Sequence, residues 1–219
     1  MCLLLSPHMT TRFAAIFGAL LVAALGWPAS GAADGIMLIT AGAFWMGRDD
    51  GPAEEAPQHR VYVTDFWIER EKVTNAEFAE FLNATGATVV SAPRIPTAAG
   101  GFVVERGFER APVLVPWVAA RDFCRWRGRR LATEAEWEKA ARGVHGVEDL
   151  LTEPREWTAT IFTPYPYRYD DGREPFAGRG LVVVRGGSAT ARQGDDGRAA
   201  AGARAAGFRC ATSEDLGGR

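Results

Sequence analysis

Short apolar runs separated by turn residues indicate that the chain begins with strands. Residues 37–39 (MLI) and 44–46 (FWM) lie on either side of an Ala-Gly pair, a spacing typical of two strands joined by a tight turn. Residues 59–68 follow an acidic loop that contains proline, and bulky side chains occupy both faces of this segment. We therefore expect two short strands and then a third strand over residues 59–68.

Two segments carry the pattern of a capping box, in which a threonine and the glutamate three residues later accept hydrogen bonds from each other's backbone amides. They are residues 74–77 (TNAE) and 133–136 (TEAE). Apolar residues at helical spacing follow each box, and Trp137 lies on the inner stripe of the second. The pattern predicts two helices, which end at Gly86 and Gly143.

A further helix is predicted between Pro116, a residue that the first helical turn tolerates, and Gly128. Residues 87–112 show no periodicity and are predicted to form a long loop. Several prolines after the last helix exclude long regular elements up to a predicted strand at residues 181–185. A final short strand is predicted at residues 207–210.

The first 32 residues have the pattern of a secretory signal peptide. Arg12 precedes an apolar run at residues 13–27, and small residues follow at 29–32. A membrane anchor is the rival interpretation, but fifteen apolar residues fall short of the ~20 that a spanning helix needs. We expect residues 1–32 to be removed, with Met1 or Met9 as the start, and the protein to be exported to the periplasm or secreted without a membrane anchor.

The charge balance excludes one class of partner. Arg12 is the only charged residue of the predicted leader, so its removal changes the net charge from −2 to −3. Nucleic-acid binding requires a concentrated basic patch, which this balance does not favour. We therefore expect no nucleic-acid partner.

Two cysteines, Cys124 and Cys210, remain after the leader is removed. An oxidising compartment would allow a disulfide between them. Isolated cysteines with bulky neighbours are more typical of small buried residues, and this is the interpretation that the sequence favours. A bridge is the alternative.

No familiar catalytic or metal-binding motif is present in the sequence. His59 and His145 are far apart and belong to no histidine pair with metal-ligand spacing, so each is expected to be a surface or hydrogen-bonded histidine. Ser188 has no evident base partner and lies in no G-x-S-x-G elbow. A serine nucleophile is therefore not expected.

Three glutamates at the start of the last helix, Glu134, Glu136 and Glu138, resemble an acid–base cluster. Negative charge in a first helical turn is also favourable near the positive end of the helix dipole. Glu136 additionally belongs to the capping box. We interpret the three carboxylates as helix-stabilising charges.

The order of motifs resembles the formylglycine-generating enzyme/sulfatase-modifying factor family. Residues 130–143 (RLATEAEWEKAARG) nearly repeat the family motif RLPTEAEWEKAARG. Further similar segments are TAGAFWMG (40–47), EREKVTNAEF (69–78), VPWVAARDFCRW (115–126), RGGS (185–188) and GFRC (207–210). The resemblance implies an α+β fold, a variant of the C-type lectin fold. It would form a single compact domain over residues 33–219, with few strands, two or three helices and extensive irregular loops.

The resemblance also implies where the chemistry of the family would lie. In formylglycine-generating enzymes two cysteines follow RGGS, and their thiolates bind copper(I) and activate oxygen to convert a substrate cysteine into formylglycine. The corresponding residues are Ala191 and Asp196. Copper(I) prefers soft thiolate ligands, which neither residue supplies. Cys124 and Cys210 match non-catalytic cysteines of the family, so we expect no catalytic residues and no copper.

Calcium is a second cofactor of the family that the resemblance makes a candidate for this chain. An insertion that carries one family calcium site is absent, because a weak match to GLYDMxGNVWEWT follows Gly143 almost at once. Glu156 is the one side-chain ligand that remains for a second site. Calcium takes six to eight oxygen ligands, so at most a residual site is expected.

Two functions are compatible with this pattern. The first is a monomeric peptide-binding or protein-binding protein, or an accessory maturation factor, that lacks the oxidase activity. The alternative is a periplasmic enzyme of the same family with a different oxidative chemistry that needs no cysteine.

A groove beside the Gly-Gly-Ser turn is the candidate binding site. Glycines permit close approach of backbone, either by a ligand or by the protein's own packing. The residues expected to line the groove are Gly186, Gly187, Ser188, Trp157, Tyr165 and Tyr167. Packing and loop exposure are the alternative roles for the two tyrosines.

Overall fold

The computed structural model describes residues 35–88, 92–143, 147–174, 180–195 and 205–213. This part of the chain contains three α-helices, one short 3-10 helix (Ala53–Glu55) and eleven short strands. The helices are α1 (Asn75–Thr85), α2 (Trp117–Trp126) and α3 (Glu134–Gly143). The strands are β1 (Ile36–Ile39), β2 (Gly42–Met46), β3 (His59–Val63), β4 (Phe66–Glu69), β5 (Thr97–Ala98), β6 (Gly101–Phe102), β7 (Arg130–Leu131), β8 (Glu156–Ile161), β9 (Val182–Arg185), β10 (Arg192–Asp195) and β11 (Cys210–Thr212). The predicted leader, His145 and Asp196 lie outside the described residues.

Both predicted capping boxes are confirmed. The Glu77 amide donates to the Thr74 hydroxyl at 3.3 Å, and the Thr74 amide donates to the Glu77 carboxylate at 2.9 Å. The same reciprocal pair joins Thr133 and Glu136, at 3.2 and 2.8 Å. Gly86 ends α1 in the left-handed conformation, with φ of 66°. The three helices therefore lie where the sequence pattern placed them.

All strand pairs are antiparallel and form separate small sheets. The sheet orders are β1-β4-β11-β7, β10-β9-β8, β2-β3 and β5-β6. β1 and β2 are strands, as predicted, but they pair with β4 and β3 rather than with each other. The short link between them therefore carries the chain from one sheet to another.

The single strand predicted over residues 59–68 is wrong, because the chain breaks between β3 and β4. At the break, the Asp65 carboxylate accepts a hydrogen bond from the Ala41 amide. β3 pairs with β2, whereas β4 continues into the four-stranded sheet. The chain breaks between β3 and β4 because the two strands belong to different sheets.

The sequence pattern missed β8, because its buried positions carry hydroxyls. Thr158 and Thr160 are fully buried, yet the pattern searches for apolar residues at such positions. The Thr158 hydroxyl donates to the carbonyl of Val183 at 2.9 Å, and the Thr160 hydroxyl accepts from the amide of Glu134 at 2.8 Å. Hydrogen bonding lets polar side chains occupy the interior of this strand.

Two apolar clusters form most of the core. One joins α1, α2 and the two larger sheets through closely packed aromatic rings, including Phe78, Phe123 and Phe208. The other lies under α3 around Ile68 and Trp137, and both side chains are fully buried. Among the described residues, no helix is long and apolar enough to cross a membrane.

Cys124 and Cys210 are bonded to each other, so the expectation of two unbridged cysteines is wrong. Both are fully buried, as predicted. Their neighbours Phe123 and Phe208 pack with ring centroids 5.4 Å apart, which brings α2 against the start of β11. The 86-residue separation along the chain conceals this proximity from a sequence pattern.

Candidate binding site

The two glycines of the Gly-Gly-Ser turn differ in what surrounds them. Gly186 and Gly187 have φ angles of 136° and 86°, which residues with side chains rarely adopt. A Cβ on Gly186 would lie 3.1 Å from the Cα of Arg155, whereas a Cβ on Gly187 would meet nothing within 4 Å. The close approach at Gly186 is therefore made by the protein's own chain just before β8.

Ser188 closes the same turn onto itself. Its hydroxyl accepts a hydrogen bond from the Ala191 amide at 3.0 Å, immediately before β10. The Ala191 side chain is a methyl group and cannot bind copper. The two cysteines among the described residues, Cys124 and Cys210, are held in their disulfide. These residues do not fit a copper(I) centre.

Trp157 lies in the core rather than along a groove. The residue is 2% exposed, and its indole nitrogen donates to the carbonyl of Val115 at 2.8 Å. The ring packs with the apolar cluster between α2 and β9. Trp157 is therefore buried and does not line the groove in which the sequence interpretation placed it.

Glu134 and Glu138 form buried ion pairs with arginines and are not charges at a helix surface, which corrects the sequence interpretation. Arg185 binds Glu138 at 2.6 Å and Glu134 at 3.1 Å, while Arg192 binds Glu134 at 2.5 Å. All four side chains are completely buried. Trp137 lies on the same helix face, and this spacing was the signal that both carboxylates point inward. Only the capping role of Glu136 is confirmed.

Arg185 also holds the Gly-Gly-Ser turn. Its guanidinium donates to the carbonyls of Ala189 and Thr190, at 2.7 and 3.3 Å, and lies over the Trp137 ring. Burial alone lowers the pKa of Arg185, but the neighbouring carboxylates, Glu138 foremost, raise the pKa overall. The guanidinium therefore stays charged and links α3, β9 and the turn.

Both tyrosines of the predicted groove are largely buried. The Tyr165 hydroxyl donates to Glu134 at 3.0 Å, so this residue belongs to the ion network. The Tyr167 hydroxyl donates to Glu174 at 2.5 Å, and its amide donates to the Nε2 atom of His59 at 2.7 Å. Burial and the adjacent carboxylates raise the pKa of both phenols. His59 is thus hydrogen-bonded, as predicted.

Glu156 is engaged by Arg209 rather than open to a metal. The two carboxylate oxygens accept from the Nε and Nη2 atoms of Arg209, at 2.7 and 2.9 Å. In the part of the chain that the structure describes, no group of three or more histidine, cysteine or acidic residues could hold a metal ion. Glu156 therefore does not fit a calcium site.

The sequence interpretation missed an open cleft of about 920 Å³. It lies between β3, the first turn of α3 and the loop that carries Tyr167. The lining residues are Arg60, Val61, Tyr62, Val63, Thr64, Arg130, Thr133, Ala135, Glu136, Ala159, Tyr167, Arg168, Tyr169, Asp170, Glu174 and Ser213. Of the predicted groove residues, only Tyr167 lines this cleft, so the structure does not bring the predicted set together.

Glu174 lies in this cleft and is partly buried. Its Oε1 atom accepts from the Thr160 and Tyr167 hydroxyls, both at 2.5 Å. Burial raises the pKa of this carboxyl, although the two hydroxyls act in the opposite direction. The cleft thus contains a carboxyl group with a raised pKa beside polar and aromatic side chains.

Comparison with known proteins identifies the family. The model of the FGE-sulfatase family, described as the sulfatase-modifying factor enzyme 1-like domain, matches residues 27–144. The chain belongs to the FGE-sulfatase family. The matched segment includes all three helices and β1–β7, while β8–β11 lie beyond it.

Curated relatives of this FGE-sulfatase chain include the formylglycine-generating enzymes of Mycobacterium tuberculosis and Streptomyces coelicolor. They are 36% and 34% identical over alignments that cover 47% and 63% of this chain and 49% and 59% of theirs. The serine/threonine-protein kinase pkn1 of Chlamydia pneumoniae is 35% identical over 49% of this chain and 19% of its own length. The chain thus spans about half of these two enzymes and about a fifth of the kinase.

Two solved structures have the same fold as this FGE-sulfatase domain. PvdO from Pseudomonas aeruginosa matches with a TM-score of 0.53 and 22% identity, over 80% of this chain and 93% of PvdO. Treponema denticola variable protein 1 matches with a TM-score of 0.57 and 18% identity, over 80% and 94%. Together with the family match, these likenesses confirm the predicted α+β fold of the family.

Gly186→Ala should lower the free energy of unfolding by about 2–3 kcal/mol, because a methyl group adds contact with Arg155 to an unfavourable φ. Gly187→Ala is the matched control. It meets no neighbour and should cost only ~1 kcal/mol of backbone strain. Urea unfolding of both variants measures the difference. Equal losses would show that the contact with Arg155 is not tight.

Proposed function

We propose that this FGE-sulfatase protein is exported, does not generate formylglycine, and binds a peptide or protein as an accessory or maturation factor. One observation carries the proposed loss of formylglycine generation. The chain has three cysteines, of which Cys124 and Cys210 form a disulfide and Cys2 lies in the predicted leader. Two thiolates for copper(I) are therefore missing from the mature chain.

The geometry of the turn supports the same proposal. Ser188 and Arg185 are both used to hold the turn against the protein itself. This role explains why the turn persists with Ala191 in place of a thiolate. Proteins with one fold can have different functions, because each function depends on a particular site. Loss of the oxidase chemistry is therefore compatible with retention of the fold.

A binding role agrees with the composition of one relative, a protein kinase. A kinase that shares about a fifth of its length with this chain carries the domain beside other sequence. Such an arrangement is compatible with a domain that recognises a protein or peptide. The open cleft beside β3 offers the mature chain a surface for this recognition.

Export is supported by two independent features. The leader pattern is one, and the buried disulfide is the other, since such bonds persist in oxidising compartments. A chain made in a Gram-negative host should therefore accumulate in the periplasm, lack about the first 32 residues, and contain the oxidised pair. Cell fractionation and mass spectrometry of the intact protein test this expectation.

A version without residues 1–32 is the control for export. It should remain in the cytoplasm with reduced cysteines, and reduction should lower the free energy of unfolding by about 2–4 kcal/mol. A full-length chain that keeps its leader and stays in the cytoplasm would contradict export.

The purified protein should not convert the cysteine of a Cys-x-Pro-x-Arg peptide into an aldehyde. The reaction is run with copper and reductant, and mass spectrometry detects the product. The formylglycine-generating enzyme of Streptomyces coelicolor serves as the positive control. Aldehyde formation at a rate comparable with that control would refute the proposed loss of activity.

A further inference from the structure

One wall of the cleft is the edge of a strand. Five consecutive residues line the cleft, residues 60–63 of β3 and Thr64 directly after it, although successive side chains of a strand point to opposite faces. A cavity that contacts all five therefore runs along the edge, where the backbone itself is accessible. β3 pairs with β2 on its other side, and no strand of the described residues pairs with this edge.

We propose that the cleft binds an extended peptide segment of a partner protein, which adds to the sheet as a third strand beside β3. The proposal rests on the peptide-binding function proposed above and assigns it a site. An unpaired strand edge presents N–H and C=O groups that an extended backbone satisfies. The four residues of β3 that line the cleft extend about 13 Å, which accommodates roughly four residues of peptide.

The outer face of β3 favours an acidic side chain on the peptide. Arg60 and Tyr62 are two residues apart and therefore share this face. Arg60 is exposed and makes no ion pair within the described residues. A carboxylate on the added strand opposite Arg60 would complement this charge.

Two exposed tyrosines flank the cleft and favour an apolar residue on the peptide. Tyr62 is 65% exposed on β3, and Tyr169 is 83% exposed on the loop opposite. Large aromatic rings left in water at the edges of a cleft are typical anchors of protein interfaces. A peptide side chain between them would remove both rings from water.

The interior of the cleft provides hydrogen-bond acceptors but little net charge. Arg130 and Glu136 pair through two contacts of 2.6 Å. The hydrogen bonds of Glu174 described above both reach Oε1, so its second oxygen is available to a donor that enters the cleft. A hydroxyl-bearing or amide-bearing residue fits the inward position of the peptide.

A second copy of this chain is a less suitable occupant. The loop of residues 167–170 forms an opposite wall, so the edge of β3 lies in a trench rather than on an open side of the sheet. A single extended segment fits such a trench, whereas the edge of another folded domain does not. The partner is therefore an extended stretch of protein.

The test uses random decapeptides displayed on phage and selected on the purified chain, followed by fluorescence anisotropy with the selected peptides. We expect an acidic and an aromatic or aliphatic residue two positions apart. Tyr62→Ala combined with Tyr169→Ala should weaken the Kd at least about tenfold, and Arg60→Glu should weaken it several-fold. Methylation of alternate peptide nitrogens should abolish binding, because it removes the strand hydrogen bonds.

Matched control variants distinguish the loss of a peptide contact from a defect in folding. Tyr62→Phe with Tyr169→Phe retains both rings and should preserve the Kd. Arg106→Glu should also preserve it, because this exposed residue does not line the cleft. Peptides that bind the cleft variants as tightly as the native chain would overturn this site but leave a peptide-binding function intact. Failure to select any peptide, or dimers that the two alanine substitutions dissociate, would also overturn it. The aldehyde assay is independent of each of these results.

Discussion

The buried contacts of Arg185 with Glu138 and Glu134 are the interaction on which the rest of the structure depends. Burying these charges without partners would cost several kcal/mol each, so the fold is stable only when they meet. Their geometry fixes α3 against β9, and Arg192 extends the network from Glu134 to the carbonyl of Glu54. Three distant segments of the chain are thereby held around one group of charges.

This network gives the two most recognisable motifs of the sequence a common explanation. Glu134 and Glu138 come from the motif at residues 130–143, and Arg185 opens the Gly-Gly-Ser turn. The same guanidinium binds two carbonyls of that turn, while Gly186 packs on Arg155. The turn is therefore a part of the fold and persists without the thiolates that formylglycine-generating enzymes place after it.

The sequence predicted those elements that local rules specify. Both capping boxes and the end of α1 at Gly86 depend on hydrogen bonds within a few residues, and all lie as expected. The division of residues 59–68, the disulfide and the burial of Glu134 depend on contacts between distant segments. No local pattern contains them, although the shared helix face of Glu134 and Trp137 was a usable signal. The cleft was missed for the same reason, because β3, α3 and the loop after β8 each supply only a part of it.

A double-mutant cycle between Arg185 and Glu138 tests most directly whether the ion network holds the turn. Arg185→Met alone should lower the free energy of unfolding by about 3–5 kcal/mol, since it leaves buried carboxylates unpaired. In the double variant with Arg185→Met and Glu138→Gln, the loss of unfolding free energy should be smaller than the sum of the two single-variant losses by at least about 1.5 kcal/mol. Hydrogen exchange at the Ala191 amide should accelerate in the Arg185 variant. Additive losses within about 0.5 kcal/mol, with unchanged exchange at Ala191, would show that the network does not hold the turn.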